Sequence, residues 1–166
     1  MADITHGTWI KDGKPVDAVY QSGIKVYGRN LSLDTSTPII IQGNNSVWQN
    51  VKKLNLSQNP AGLTVTVSYA VTIDRVDSGS LYQQFGAQFD PAWGMSVTVN
   101  LEDLQPGVKT NFNRTFVFPK YIGNGDFNNY MTVGIVNSSA LVKFEDLKVV
   151  IGSVATPWSP APEDVM

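Results

Sequence analysis

The sequence predicts an all-β protein, an antiparallel β-sandwich or jelly roll, on three observations. Short runs that alternate apolar and polar residues recur along the chain, Gly, Pro and Asn clusters separate them at fairly even spacing, and no segment between them holds a helical period. Composition agrees with a packed core: 42% of the 166 residues are hydrophobic and only 16% are charged, the reverse of the balance that keeps chains disordered. That length favours one domain with short terminal extensions.

Pro15 to Tyr27 alternates around Ser22-Gly23, a hairpin signal, and too small a unit to bury much by itself. Residues 1–28 are therefore expected to be a connector. The body opens at Arg29 to Leu33 and reaches the apolar run Ile39-Ile40-Ile41, with Gly43 to Ser46 as a loop. Thr64 to Ile73 gives the clearest pattern, with Val65, Val67, Tyr69, Val71 and Ile73 facing one way. Leu81, Gln83, Phe85, Ala87 and Phe89 then oppose Tyr82, Gln84, Gly86 and Gln88, so the second face is polar and aromatic. Met95 to Leu101, Phe112 to Phe118, Tyr130 to Val136 and Leu141 to Ile151 supply the remaining strands. After Gly152 the prolines Pro157, Pro160 and Pro162 stop the sheet, since each lacks the backbone N–H and fixes its own φ. The expected division is thus connector 1–28, body 29–152 and proline-rich tail 153–166.

Several chemistries are disfavoured. A formal net charge of -2 offers no basic surface for phosphates, so nucleic acid is not an expected partner. No cysteine is present, which removes disulfides, thiolate nucleophiles and cysteine zinc sites. The first residues carry neither a basic region nor an apolar stretch of signal-peptide length, and no apolar run reaches membrane-spanning length, so synthesis in a cytoplasm without membrane insertion is expected. His6 is the one histidine and has no triad partners beside it. The paired acids Glu102-Asp103 and Glu145-Asp146 are adjacent and should point to opposite strand faces, which argues against an acid and base pair and against an enzyme.

The chain resembles the jelly-roll carbohydrate-binding modules of tail and baseplate proteins from phages of Gram-positive bacteria. The resemblance is carried by Gly28 to Thr37, Thr64 to Tyr69, Pro91 to Gly94, Thr115 to Phe118 and Phe144 to Gly152, and most narrowly by the close Ala155-Thr156-Pro157-Trp158-Ser159-Pro160-Ala161-Pro162-Glu163-Asp164. It covers most of the chain after Gly28. It implies a non-catalytic module in the virion, at the tail tip or baseplate, that binds host cell-wall or capsular polysaccharide, with other phage tail proteins as partners. No cofactor is implied. Related jelly rolls often carry a structural calcium, yet no Asp-rich loop identifies one here. A spacer or decoration module acting through protein contacts is the alternative.

Saccharide recognition needs a flat aromatic for the C–H face of a sugar ring and amides or hydroxyls for its hydroxyl groups. The candidates are Tyr82, Gln84 and Gln88 as one sheet face, Trp93 in the turn-prone Asp90 to Gly94 loop, Trp48 among Asn44, Asn45, Ser46 and Gln49, and Asn128 with Tyr130 as a wall. Each has a structural alternative: Tyr82 and the glutamines as an ordinary solvated face, either tryptophan as a seal on the core edge, Tyr130 as a core residue. The expectation is that they converge on one water-accessible groove. Trp158 is expected to pin the tail to the body.

Overall fold

In a computed structural model, described for residues 2–5, 7–86, 88–93, 95–124, 127 and 130–166, the chain is all-β with two short 3-10 turns. The first residues form a meander of β1 (Ala2–Thr5), β2 (Thr8–Lys11) and β3 (Lys14–Pro15). Asp12 (φ 51°) and Gly13 (φ 71°) make the β2–β3 turn, an Asp-Gly hairpin signal within the expected connector. A second hairpin follows, β4 (Ala18–Gln21) and β5 (Ile24–Gly28), closed by Ser22 and Gly23 at φ 50° and 79°.

Eight strands build the body: β6 (Ile39–Gln42), β7 (Asn45–Lys53), β8 (Thr64–Ile73), β9 (Ser80–Phe85), β11 (Met95–Asn100), β12 (Thr110–Val117), β14 (Tyr130–Ser138) and β15 (Leu141–Ile151). The short β10 (Phe89–Asp90) and β13 (Lys120–Tyr121) pair beside them. The sheets run β11-β9-β14-β7 and β12-β8-β15-β6. The antiparallel pairs β6–β15, β7–β14, β8–β12 and β9–β11 are therefore nested, as if one long ribbon had been wrapped into two facing sheets. That is a jelly roll.

Alternation decides which side chains fill the space between the sheets. Val65, Val67, Tyr69, Val71 and Ile73 enter from β8, Leu81 and Phe85 from β9, Val133 and Ile135 from β14, and Val142, Phe144 and Val149 from β15, all buried. Tyr69 packs its ring 4.6 Å from that of Phe144.

Two expectations need correction. Asn45 and Ser46 are not loop but the start of β7, because β14 offers a paired edge through Ser138 and Val136. The acids Glu145 and Asp146 do not face apart. A bulge interrupts β15 between Glu145 and Lys148, Asp146 turns to φ 55°, and the ammonium of Lys109 bridges both carboxylates.

The tail lies against the body. Buried Asn30 donates from Nδ2 to the carbonyls of Leu147 and Ser159, each at 3.0 Å, and Lys148 Nζ donates to Pro157 O at 2.7 Å and Ser159 Oγ at 2.9 Å. Thr8 Oγ1 donates to Pro160 O at 2.7 Å, and Arg29 pairs with Glu163, so the first strands and the last residues close on each other.

Candidate functional site: an aromatic platform on the β7-β14-β9-β11 sheet

The outward face of this sheet is organised by register. Thr98, Tyr82, Gly134 and Trp48 form one row across the four strands, and Ser96, Gln84, Thr132 and Asn50 form the next. No residue in either row is charged. Thr132 Oγ1 donates to Asn50 Oδ1 at 2.8 Å, which fixes the Asn50 amide with its N–H2 group turned away from that bond.

Neighbouring strands lie about 4.8 Å apart, so residues on β7 and β9, with β14 between them, start nearly twice that distance apart. Gly134 lets them meet. A Cβ at this position would sit 2.3 Å from Cε3 of Trp48, so the indole occupies the space that any side chain would take. Leaning over the glycine, Trp48 brings its ring centroid to 6.0 Å from that of Tyr82 with the planes 31° apart. Trp48 remains 46% exposed. The pair is a hydrocarbon platform open to water and bordered by amides and hydroxyls.

The other candidates do not join this row. Tyr130, 49% exposed, opens β14 four residues from Gly134 on the same face, roughly 13 Å away along the strand. It is not a core residue. Trp93, 44% exposed at φ 61°, occupies the turn before β11, at the same end of the sheet as Tyr130. Gln88 departs from the expected face shared with Tyr82 and Gln84: β9 ends at Phe85, and Gln88 lies in the turn before β10, its Oε1 accepting from Tyr121 Oη at 2.7 Å. Asn128 and His6 lie outside the described residues. Among the described residues, one depression of about 440 Å³ lies between Asp17, Arg29 and residues 55–63, and three smaller ones also lie away from Trp48 and Tyr82.

Solved structures resemble this chain in fold. The tripod of the baseplate of bacteriophage Tuc2009 is similar over 83% of this chain and 60% of that one, with 17% identity and a TM-score of 0.54. In fold, the chain is similar to a phage baseplate subunit. It spans only about 60% of that subunit's length. A family 16 carbohydrate-binding module (8% identity, 72% of this chain and 83% of that, TM-score 0.45) and a CBM4 structure (14%, 72% and 88%, 0.46) are also similar. No protein-family model matches the chain, and no curated protein sequence matches it.

Among the described residues no group of three or more His, Asp and Glu side chains gathers in a way that could hold a metal ion. The residues that sequence reading missed are Gly134, Asn50 and Thr132. Gly134 carried a usable signal, since a glycine inside the alternating run from Tyr130 to Val136 marks a close approach of something bulky. Gly134→Ala is expected to keep the fold, because φ there is not positive, and to force the indole off its neighbour at a cost of about 1–3 kcal/mol. Near-ultraviolet circular dichroism should lose the coupled Trp48–Tyr82 signal, and an unchanged spectrum would refute the overlap.

Proposed function

We propose that the chain is a non-catalytic saccharide-binding module of a phage tail that adsorbs to host cell-wall or capsular polysaccharide. The observation that carries this reading is the paired, water-exposed Trp48 and Tyr82 over Gly134, with Gln84, Asn50 and Thr132 in the adjoining row. The rings cover the apolar face of a pyranose while amides and hydroxyls replace the water lost from its hydroxyl groups, each of which costs roughly 1–3 kcal/mol if left unpaired. Because both rows lack charge, the ligand is a neutral stretch of glycan. An open platform binds weakly on its own, and repeated copies on a symmetric particle raise affinity through effective concentration. Tail tip or baseplate is the proposed location.

A second reading has its own support. Tyr20 (62% exposed), Ile24 (67%) and Val26 (36%) leave the β4–β5 hairpin apolar and open, which suits contact with another tail protein. A fluorescently labelled module separates the two. Host-restricted adsorption to cells that falls at least tenfold in folded Trp48→Ala or Tyr82→Ala variants, about 1.4 kcal/mol, supports the glycan reading. Adsorption unaffected by either substitution, or absent from every host strain while the hairpin still assembles with tail proteins, favours the structural one. Trp93→Ala and Tyr130→Ala report whether a bound chain extends to the end of the sheet.

A further inference from the structure

On the outward face of the other sheet, the tail and the edge strand enclose a depression of about 310 Å³. Its polar lining comes from Ser68, Asn111, Asn113 and Asp146 of the sheet and from Thr156 of the tail, with Trp158 completing the wall. Asn113 and Ser68 are register partners on β12 and β8, and Asn111 follows two residues away, so the two exposed amides stand on one surface. Two features distinguish this cleft from an ordinary seam between a tail and a sheet.

The first is Trp158. Pinning the tail, the expected task of this ring, is already done on both sides of it: Lys148 Nζ holds Pro157 O and Ser159 Oγ, and Asn30 holds Ser159 O. The indole is left 38% exposed in a backbone that its neighbours immobilise. Its ordering is thus supplied in advance, which lowers the entropic cost of binding. The second is Thr156. Only 7% exposed, it lines the cleft and its Oγ1 has no hydrogen-bond partner among the described residues. A buried hydroxyl without a partner costs about 1–3 kcal/mol, and this one, with no surface open to water, meets a ligand hydroxyl only as the tail shifts to admit it.

From these we infer that the cleft between the tail at Thr156 to Trp158 and the sheet at Ser68, Asn111 and Asn113 is a second saccharide subsite, taking one pyranose residue. An indole supplies an apolar surface, two amides supply a donor and an acceptor each, Ser68 supplies a hydroxyl, and the Asp146 carboxylate, held by Lys109, accepts from a further ligand hydroxyl. The volume lies at the lower end of small-molecule sites, a size that suits a single sugar ring. The cleft and the platform lie on outward faces of opposite sheets, so two glycan segments can be held at once by one copy.

The test follows the four indole N–H resonances, those of Trp9, Trp48, Trp93 and Trp158, in heteronuclear NMR spectra, assigned by single Trp→Phe variants. The full chain is titrated with glucose, galactose, N-acetylglucosamine and rhamnose, with glycerol as the acyclic control. A saturable shift at Trp158 with at least one pyranose, absent with glycerol and weakened about tenfold by Asn113→Ala or Asn111→Ala, is the expected result. Both asparagines are exposed on an edge strand, so these variants keep the fold and leave the Trp158 reporter in place. No shift at Trp158 with any of the sugars, or a shift equal in the asparagine variants, overturns the subsite. A shift at Trp158 without one at Trp48 sustains the cleft while removing the platform, so the two readings fail separately.

Discussion

An Asn30→Ala variant is expected to lose about 3–5 kcal/mol of stability, more than any surface substitution in this chain. Asn30 is fully buried, and its side chain has five polar partners, the two Nδ2 hydrogens being shared among three acceptors. Nδ2 donates to Thr35 Oγ1 at 3.2 Å and to the carbonyls of Leu147 and Ser159, while Oδ1 accepts from the backbone N–H groups of Ser32 and Val149 at 3.0 Å. One amide thus ties the start of the body, the bulge of β15 and the tail. Alanine leaves two backbone donors and two carbonyls in a dry interior with nothing to bond, and each such group is costly. Urea unfolding gives the number directly. Asn30→Asp separates the donor from the acceptor half, since the carboxylate keeps the bonds to Ser32 and Val149 and loses those to Leu147 and Ser159. A loss below about 1 kcal/mol in the alanine variant would show that the three segments are held by something else.

Stability is expected to rise with pH across the range where most proteins are flat or declining. Lys148 is 1% exposed, over the Tyr27 ring at 5.2 Å, and burial pushes its ammonium down to about 8, with the positive charge of Lys25 adding to the effect. The folded state therefore gives up this proton at lower pH than the unfolded state, which keeps it to about 10.5. Between the two values the unfolded chain binds more protons, so folding becomes more favourable as pH increases. Between about pH 7 and about pH 9.5 the gain is about 2 kcal/mol. Lys25, whose ammonium is also lowered by burial, acts with the same sign. Tyr69 and Tyr27 act with the opposite sign: burial raises both phenols, so above about pH 10 the unfolded chain ionises its tyrosines first and stability falls again. The expected profile is a maximum on the alkaline side. In Lys148→Met the rise should shrink to what Lys25 supplies, while the decline above pH 10 persists. Thermal unfolding at matched ionic strength measures both limbs, and an equal slope in the two proteins would remove Lys148 as the cause.

Both predictions concern the seam between tail and body, where sequence reading was least complete. It placed a strand up to Gly152 and an extended tail beyond, because three prolines admit no other continuation. Trp158, the one large apolar ring of the tail, is the residue that sequence alone offers to hold it. The structure adds Asn30 and Lys148 to that task, both polar residues whose role depends on partners more than 100 residues away or on a bulge that no pattern announced. The same limit applied to Asn45 and Ser46. Polar residues after a glycine read as a loop until β14 supplied the edge that pairs with them.

The candidate platform divides along the same line. Tyr82 and Gln84 were legible as members of one face, since a period of two is fixed by the backbone of the strand. Their meeting with Trp48 was not. It requires β7 and β9 to lie on either side of β14 and Gly134 to stand in the matching register position. Gln88 marks the reverse case, where the two-residue period was extended beyond the last paired residue of β9 into a turn.

What the residues alone determined is the β character, the inward set of β8 and β9, the hairpin at Ser22-Gly23 and the end of the sheet at Gly152. These follow from side-chain alternation, turn chemistry and the proline ring, all of which act within a few residues of the chain. What only the tertiary structure decided is which strands are neighbours, hence the row that joins Trp48 to Tyr82, the shared lysine of Glu145 and Asp146, and the cleft under Trp158. Those depend on pairings between distant segments, whose free energy comes from burying the inner faces of two whole sheets against each other and is not a property of any single stretch of sequence.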